Sequence, residues 1–212
     1  MVIAPGPLSY SRCGNVVAGR PVFCCSMRLE TERLAMRPVE TADLDAIASF
    51  MSDPEVCRYL GDGKPRTRDR VARSVAFARR MWAERGFGPF AIERKGLSGG
   101  AGTENAFVGV CLLLPIARTG TDPADFDARG PEIELGYWLA RGSWGHGYAT
   151  EAARAVLAWA VTGDGPCPER VIAVTNPANE ASKRVLEKVG MRLVGETDAY
   201  YDAVTTLYET GL

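Results

Sequence analysis

One histidine, His146, is all the chain has. Zinc sites built on two or more imidazoles are therefore excluded, and any histidine-dependent catalysis must run through that one residue. The six cysteines (Cys13, Cys24, Cys25, Cys57, Cys111, Cys167) form no C-x-x-C pair. At 212 residues the chain can bury a core without a disulfide framework, so reduced thiols in a cytoplasmic protein are expected. No apolar run approaches the roughly 18 to 20 residues of a membrane span. The first 26 residues lack the apolar stretch of a signal peptide, being broken by Pro5, Pro7, Arg12, Gly14, Gly19 and Pro21. An excess of one charge is missing too: 25 Lys and Arg face 26 Asp and Glu, for a net charge of -1. No global field draws in nucleic acid or an anionic membrane. No G-x-x-x-x-G-K-[ST] stretch occurs, which removes a Walker loop.

What remains is an ordinary globular composition, 46% apolar and 24% charged, sized for one domain. Residues 1–26 show no period and read as an unstructured leader or an upstream start, while Met27 opens a regular stretch, so the folded domain is expected over 27–212. Leu29 to Val39 reads as a strand, and Thr41 as the cap of a short helix through Met51. Thr67 caps a longer helix bearing Val71, Val75, Ala78 and Trp82 on one side, ended by Gly86. Three strands follow, over 87–94, 106–114 and 132–139, joined by a glycine-rich connection and by a loop over 117–130 rich in Asp, Gly and Pro. The clearest helix carries Ala149, Ala152, Ala153, Val156, Leu157, Ala160 and Val161 on one stripe. A short strand over 170–175, a helix over 179–189 with Ala181, Val185 and Val189 aligned, and strands over 192–196 and 200–209 complete the chain. This order mixes an antiparallel meander with one strand-helix-strand crossover, an α+β class with a central, largely antiparallel mixed sheet flanked by helices.

The most informative segment is E-L-G-Y-W-L-A-R-G-S-W-G-H-G-Y-A-T-E-A, from Glu134 to Ala152. A strand feeds a glycine-rich loop that opens a helix, so free N–H groups and the positive end of a helix dipole converge where an anion sits. Gly145 and Gly147 would let phosphate approach the backbone closely; the alternative is a plain strand-to-helix connection. A dinucleotide fingerprint fits poorly, because Thr150 stands at its third glycine and no acid ends the next strand near Thr175 and Asn176.

The run W-G-H-G-Y-A-T-E-A followed by N-P-A-N-E-A-S-K-R-V-L-E-K-V-G-M resembles the acetyl-CoA-binding half of the GNAT superfamily of N-acetyltransferases. With L-E-T-E-R-L-A-M-R-P and S-D-P-E-V-C-R-Y-L upstream, the likeness is greatest to the ribosomal-protein N-terminal (Rim-type) branch and spans about 29–208. The resemblance implies a GNAT fold that transfers acetyl from acetyl-CoA, with no metal, to a primary amine of a protein N-terminus or small molecule. It implies direct attack in a ternary complex, and leaves a homodimer open. A CoA-binding module without catalysis and a nicotinamide dinucleotide enzyme are the alternatives.

The same resemblance assigns residues. Amides of Gly145, His146, Gly147, Tyr148, Ala149 and Thr150 would hold the CoA pyrophosphate. Trp144 replaces the Gln or Arg that opens the superfamily's loop, and His146 stands where relatives often carry Lys. The strand edge at Tyr137, Trp138 and Leu139 would pair with pantetheine. Asn179 matches the asparagine that bonds the pantetheine arm, or is simply a helix cap. Glu134 matches a general base, with Glu132 as the alternative and an ordinary strand carboxylate as the bland reading. The tyrosine acid of many relatives is replaced by Leu186. Ser182 matches a serine near the CoA sulfur, or is only a helix hydroxyl, and Tyr200 or Tyr201 is a second source of an acid.

Overall fold

The computed structural model describes residues 27–96, 106–117, 129–162 and 165–210, together with three short strands, β1 (Ser9–Tyr10), β2 (Gly14–Val17) and β3 (Arg20–Phe23). The rest of the expected leader, most of both long loops, and Cys13, Cys24 and Cys25 lie outside the described residues.

The stretch read as one strand over 29–39 divides into β4 (Leu29–Glu30) and β5 (Leu34–Pro38). The Thr31 amide donates to the Leu34 carbonyl and the Thr31 hydroxyl accepts the Leu34 amide, closing a turn that folds the two pieces into a hairpin. Thr41 is not the cap of the next helix. A 3-10 turn over Thr41–Asp43 leads into α1 (Leu44–Met51), and its cap is Glu40, joined to Asp43 in a capping box. The Asp43 carboxylate also takes two bonds from the Arg37 guanidinium, at 2.9 and 2.7 Å, and Arg37 reaches Glu93 at 3.0 Å. The Asp43 bonds raise the Arg37 pKa further above its already high value against the opposing effect of burial. A buried carboxylate that neutralises a guanidinium thus decides where the helix starts.

Helix α2 (Pro54–Cys57) is followed by α3 (Arg68–Arg85), capped by the Thr67 hydroxyl and ended by Gly86 in the left-handed region, as the sequence implies. Strands β6 (Pro89–Arg94), β7 (Ala106–Ala117) and β8 (Arg129–Leu139) extend the β4–β5 hairpin as an antiparallel meander. Helix α4 (Tyr148–Ala160) carries the chain to β9 (Val171–Thr175), which runs parallel to β8. Helix α5 (Glu180–Lys188) and the hairpin β10 (Arg192–Tyr200) and β11 (Ala203–Glu209) follow. The strand order is β1-β4-β5-β6-β7-β8-β9-β11-β10, with β2 and β3 paired apart.

Alternation along β6 places helices on both faces of the sheet. Phe90 and Ile92 join the main core, where Phe90 meets the rings of Trp82 and Trp159 edge-on at 4.8 and 5.3 Å. Ala91, between them, faces Ile47, Met51, Val71 and Val75 of α1 and α3. On α4 the expected stripe is buried at Ala152, Ala153, Val156 and Ala160 and partly buried at Ala149 and Leu157, while Val161, just past the helix, is half exposed. On α5 the buried residue is Leu186, and Ala181 is exposed, so the helix is turned from the Ala181–Val185–Val189 face the sequence suggested.

Candidate functional site

Strand β8 meets β9 only through Ile133 with Val171 and Glu134 with Ile172. Past Glu134 the two parallel strands part, while β8 stays paired with β7 as far as Leu139. Into this gap opens a cavity of about 300 Å³. Gly136, Tyr137 and Trp138 line it from β8, Ala173 to Thr175 from β9, and Asn179, Ser182 and Leu186 from α5. Helices α1 and α3 close the other end with Ile47, Met51, Arg70, Ser74 and Val75. A strand with one side released from its neighbour presents N–H and C=O groups to an extended guest, as a sheet edge does to a peptide. Of the three edge residues expected to do this, Tyr137 and Trp138 line the cavity, whereas the Leu139 carbonyl accepts the Trp144 indole N–H at 2.9 Å.

Beyond Leu139 the chain enters the glycine loop. Gly145 and Gly147 have φ of 77° and 78°, values that disfavour any residue with a Cβ, and Gly147 is the cap of α4. No side chain caps this helix end, so its first-turn amides keep the donors that an anion can take. His146 is exposed and stacks on Tyr148, ring centroids 5.4 Å apart, away from any acid-base partnership in the cavity.

Glu134 sits where β8 and β9 part, only 7% exposed, and lines the cavity. The Tyr201 hydroxyl donates to it. Glu132, two residues earlier, is not among the cavity's lining residues and is bound by Arg170 at 2.6 Å and the Tyr200 hydroxyl at 2.9 Å. Of the two carboxylates raised by the sequence, Glu134 is the one in the cavity, and it is no solvent-facing strand residue.

Across the gap, the Tyr137 hydroxyl lies 3.0 Å from Ser182 Oγ and 3.1 Å from the Ser182 carbonyl. Burial pushes the Tyr137 phenol well above its ordinary pKa, against the opposing pull of Ser182, so it stays a neutral donor. Asn179 caps α5 through its side-chain oxygen, which accepts the Ser182 amide at 3.1 Å, and it also lines the cavity. Leu186, 1% exposed, fills the position of the absent tyrosine.

A GNAT acetyltransferase domain model matches residues 33–192, about three quarters of the chain. The chain belongs to the GNAT acetyltransferase family. It is therefore an acyl-CoA-dependent acetyltransferase, with that family's open, mostly antiparallel sheet and, among the described residues, five α-helices. The Bacillus subtilis protein YkkB is 31% identical, over 77% of this chain and 84% of its own. The crystal structure of an Agrobacterium tumefaciens acetyltransferase, 26% identical, superposes with a TM-score of 0.66 over 87% of this chain and 94% of that one. A RimL ribosomal L7/L12 alpha-N-protein acetyltransferase solved with coenzyme A shares the fold (TM-score 0.61, 16% identity, 85% of this chain and 94% of that one).

Within this GNAT domain, three contacts were not readable from the sequence: Tyr201 to Glu134, Tyr137 to Ser182, and Arg33 to the glycine loop. The only sequence signals are the Y-Y-D turn between β10 and β11 and the position of Tyr137 within the cofactor motif. Tyr201 and Asp202 both adopt left-handed conformations, with φ of 59° and 53°. Two consecutive positive φ values make a tight turn of the primed kind, from which Tyr201 reaches Glu134.

Among the described residues no group of three or more His, Cys, Asp or Glu is arranged to hold a metal, and no helix is long and apolar enough to cross a membrane.

Proposed function

We propose that this GNAT domain transfers acetyl from acetyl-CoA to a primary amine by direct attack within a ternary complex. The observation that carries this reading is the buried Glu134 carboxylate at the point where β8 and β9 part, in one cavity with Ser182 and Tyr137. The residues present fit the donor. The uncapped end of α4 and the two left-handed glycines leave a cradle for pyrophosphate: a Cβ at Gly145 would meet nothing within 4 Å. The released edge of β8 and the Asn179 carboxamide border the path of a pantetheine arm.

Bound acetyl-CoA supplies an activated acetyl thioester. Glu134 takes the proton from the acceptor ammonium, directly or through one water, and frees the amine lone pair. As the new C–N bond forms and the C–S bond breaks, negative charge grows on sulfur. The Ser182 hydroxyl, coupled to the Tyr137 phenol at 3.0 Å, donates to it. Among the described residues no cysteine lines the cavity, the exposed Cys167 included, so none is placed to form an acyl-enzyme. Cys111 is fully buried, its thiol pushed up to about 12 by desolvation, and burial likewise raises Cys57.

The acceptor proposed is a protein N-terminal amine or a small-molecule amine, the former supported by the fold shared with the RimL acetyltransferase. The test follows thiol release from acetyl-CoA against peptides with free N-termini and a panel of small primary amines. Amine-dependent release with at least one acceptor supports the proposal. Tight CoA binding with no release for any acceptor would instead mark a CoA-binding module without catalysis.

A further inference from the structure

The turn between β4 and β5 takes no part in the transfer chemistry, yet it reaches across to the glycine loop and the first turn of α4. The Arg33 guanidinium donates to the His146 carbonyl at 2.9 Å from Nη1 and to Glu151 Oε2 at 2.7 Å from Nε, with Nη2 2.6 Å from the same oxygen. Its Cζ lies 5.0 Å from the centre of the Tyr148 ring. The Arg33 amide and the Thr31 hydroxyl donate to the other Glu151 oxygen at 3.0 and 2.6 Å. A carboxylate in the first turn of α4, a loop carbonyl and a ring of the loop are thus all held from one turn.

We propose that Arg33 is a positioning residue for the cofactor: it locks the loop in the shape that binds pyrophosphate, and acts through that shape rather than as a charge touching phosphate. The argument starts from the peptide bond. In a trans peptide the carbonyl of His146 and the N–H of Gly147 point in opposite directions. With the carbonyl tied to Arg33, the Gly147 N–H faces the other side of the loop, as an anion site requires, and no carbonyl dipole is presented to phosphate. Electrostatics point the same way. Glu151 would repel a phosphate near the α4 terminus if its charge were open, and the guanidinium pairs with it there. Burial tends to raise the Glu151 pKa, yet the bonds from Thr31 and Arg33 bring it below the ordinary carboxylate range, so the pair remains ionised. All three guanidinium nitrogens of Arg33 thereby have partners within the protein, although the side chain is half exposed. The T-E-R-L stretch, far from the loop in sequence, gains a function by this contact.

The inference rests on the reading of the loop as a pyrophosphate site, and the test separates the two. Calorimetric titration with CoA and with pantetheine, which lacks the pyrophosphate, is performed on the wild type and on Arg33→Ala, Arg33→Lys and Thr31→Val, each first checked for its unfolding midpoint without ligand. Arg33→Ala should weaken CoA binding about 10- to 100-fold, the usual worth of a hydrogen bond to a charged group, and leave pantetheine binding unchanged. Arg33→Lys should not rescue it, because an ammonium cannot span the His146 carbonyl and Glu151 together. Thr31→Val, which removes no charge, should shift CoA affinity in the same direction by less. Wild-type CoA affinity in Arg33→Ala would overturn the inference, as would full rescue by Arg33→Lys, which would make Arg33 a simple phosphate charge. Failure of the wild type itself to bind CoA more tightly than pantetheine would overturn the pyrophosphate reading instead.

Discussion

Glu134 and Ser182 act at opposite ends of the transfer, and their surroundings separate their variants. Glu134→Gln keeps the shape and the Tyr201 contact but cannot take a proton, so turnover should fall about 10²- to 10⁴-fold while CoA affinity barely moves. Ser182→Ala removes a donor whose value grows as charge develops on sulfur, so it should lower turnover more than it weakens CoA binding. Steady-state kinetics beside calorimetry check both, and near wild-type turnover in Glu134→Gln would remove the base role from this residue. Glu151 offers a test by pH. Its carboxyl is depressed in the folded state, so its contribution to stability is present above the unfolded carboxylate range and is lost as pH falls through the lower folded value. The gap in thermal midpoint between wild type and Glu151→Gln should therefore be widest near neutral pH and close in acid. At this scale the sequence showed which residue types matter and not what holds them. Glu134 was legible because it lies on the strand that runs into the glycine loop, at a position where the family resemblance expects a base. Its partner Tyr201 was not, because the contact spans 67 positions and depends on a turn with two left-handed residues.

Elements were legible wherever a local signal decided them. Thr67 before α3, Gly86 after it, Asn179 before α5 and the apolar stripe of α4 all act within a few residues of themselves. Where a distant charge decides, the sequence misleads. Thr41 has the better capping side chain, but Arg37 fixes Asp43, and Asp43 moves the cap to Glu40. Asp43→Ala should therefore cost about 2–4 kcal/mol in denaturant unfolding, since it removes a cap and leaves a partly buried guanidinium with one fewer partner. A loss within a few tenths would show that the turn does not depend on this pair. The loop before α4 is tested by Gly147→Glu, which forces a side chain into a left-handed position and aims it at the Arg33 guanidinium, 3.5 Å from where the new Cβ would stand, so that it competes for Arg33 and distorts the loop. The folded variant should bind CoA too weakly to measure by calorimetry, and unchanged affinity would take the phosphate site away from this loop.

Among the described residues nine strands form one sheet, and two of its neighbours, β8 and β9, part early. The β8–α4–β9 crossover was readable as the single parallel connection in an antiparallel order, and it is the only parallel pairing among the described strands. That this pairing stops after two residue pairs was not readable, since both strands continue in sequence with apolar residues that could have gone on pairing. That early parting makes the cavity, exposes the β8 edge and brings Glu134 and Ser182 into one space. The most direct test of the account is to incubate the wild-type protein with acetyl-CoA, with and without an amine panel, and follow thiol release together with the intact mass of the enzyme and of the amines. The account predicts release only when an accepted amine is present, an amine product heavier by one acetyl group, and an enzyme of unchanged mass. Acetyl bound to the enzyme, or release that ignores the amine, would contradict it.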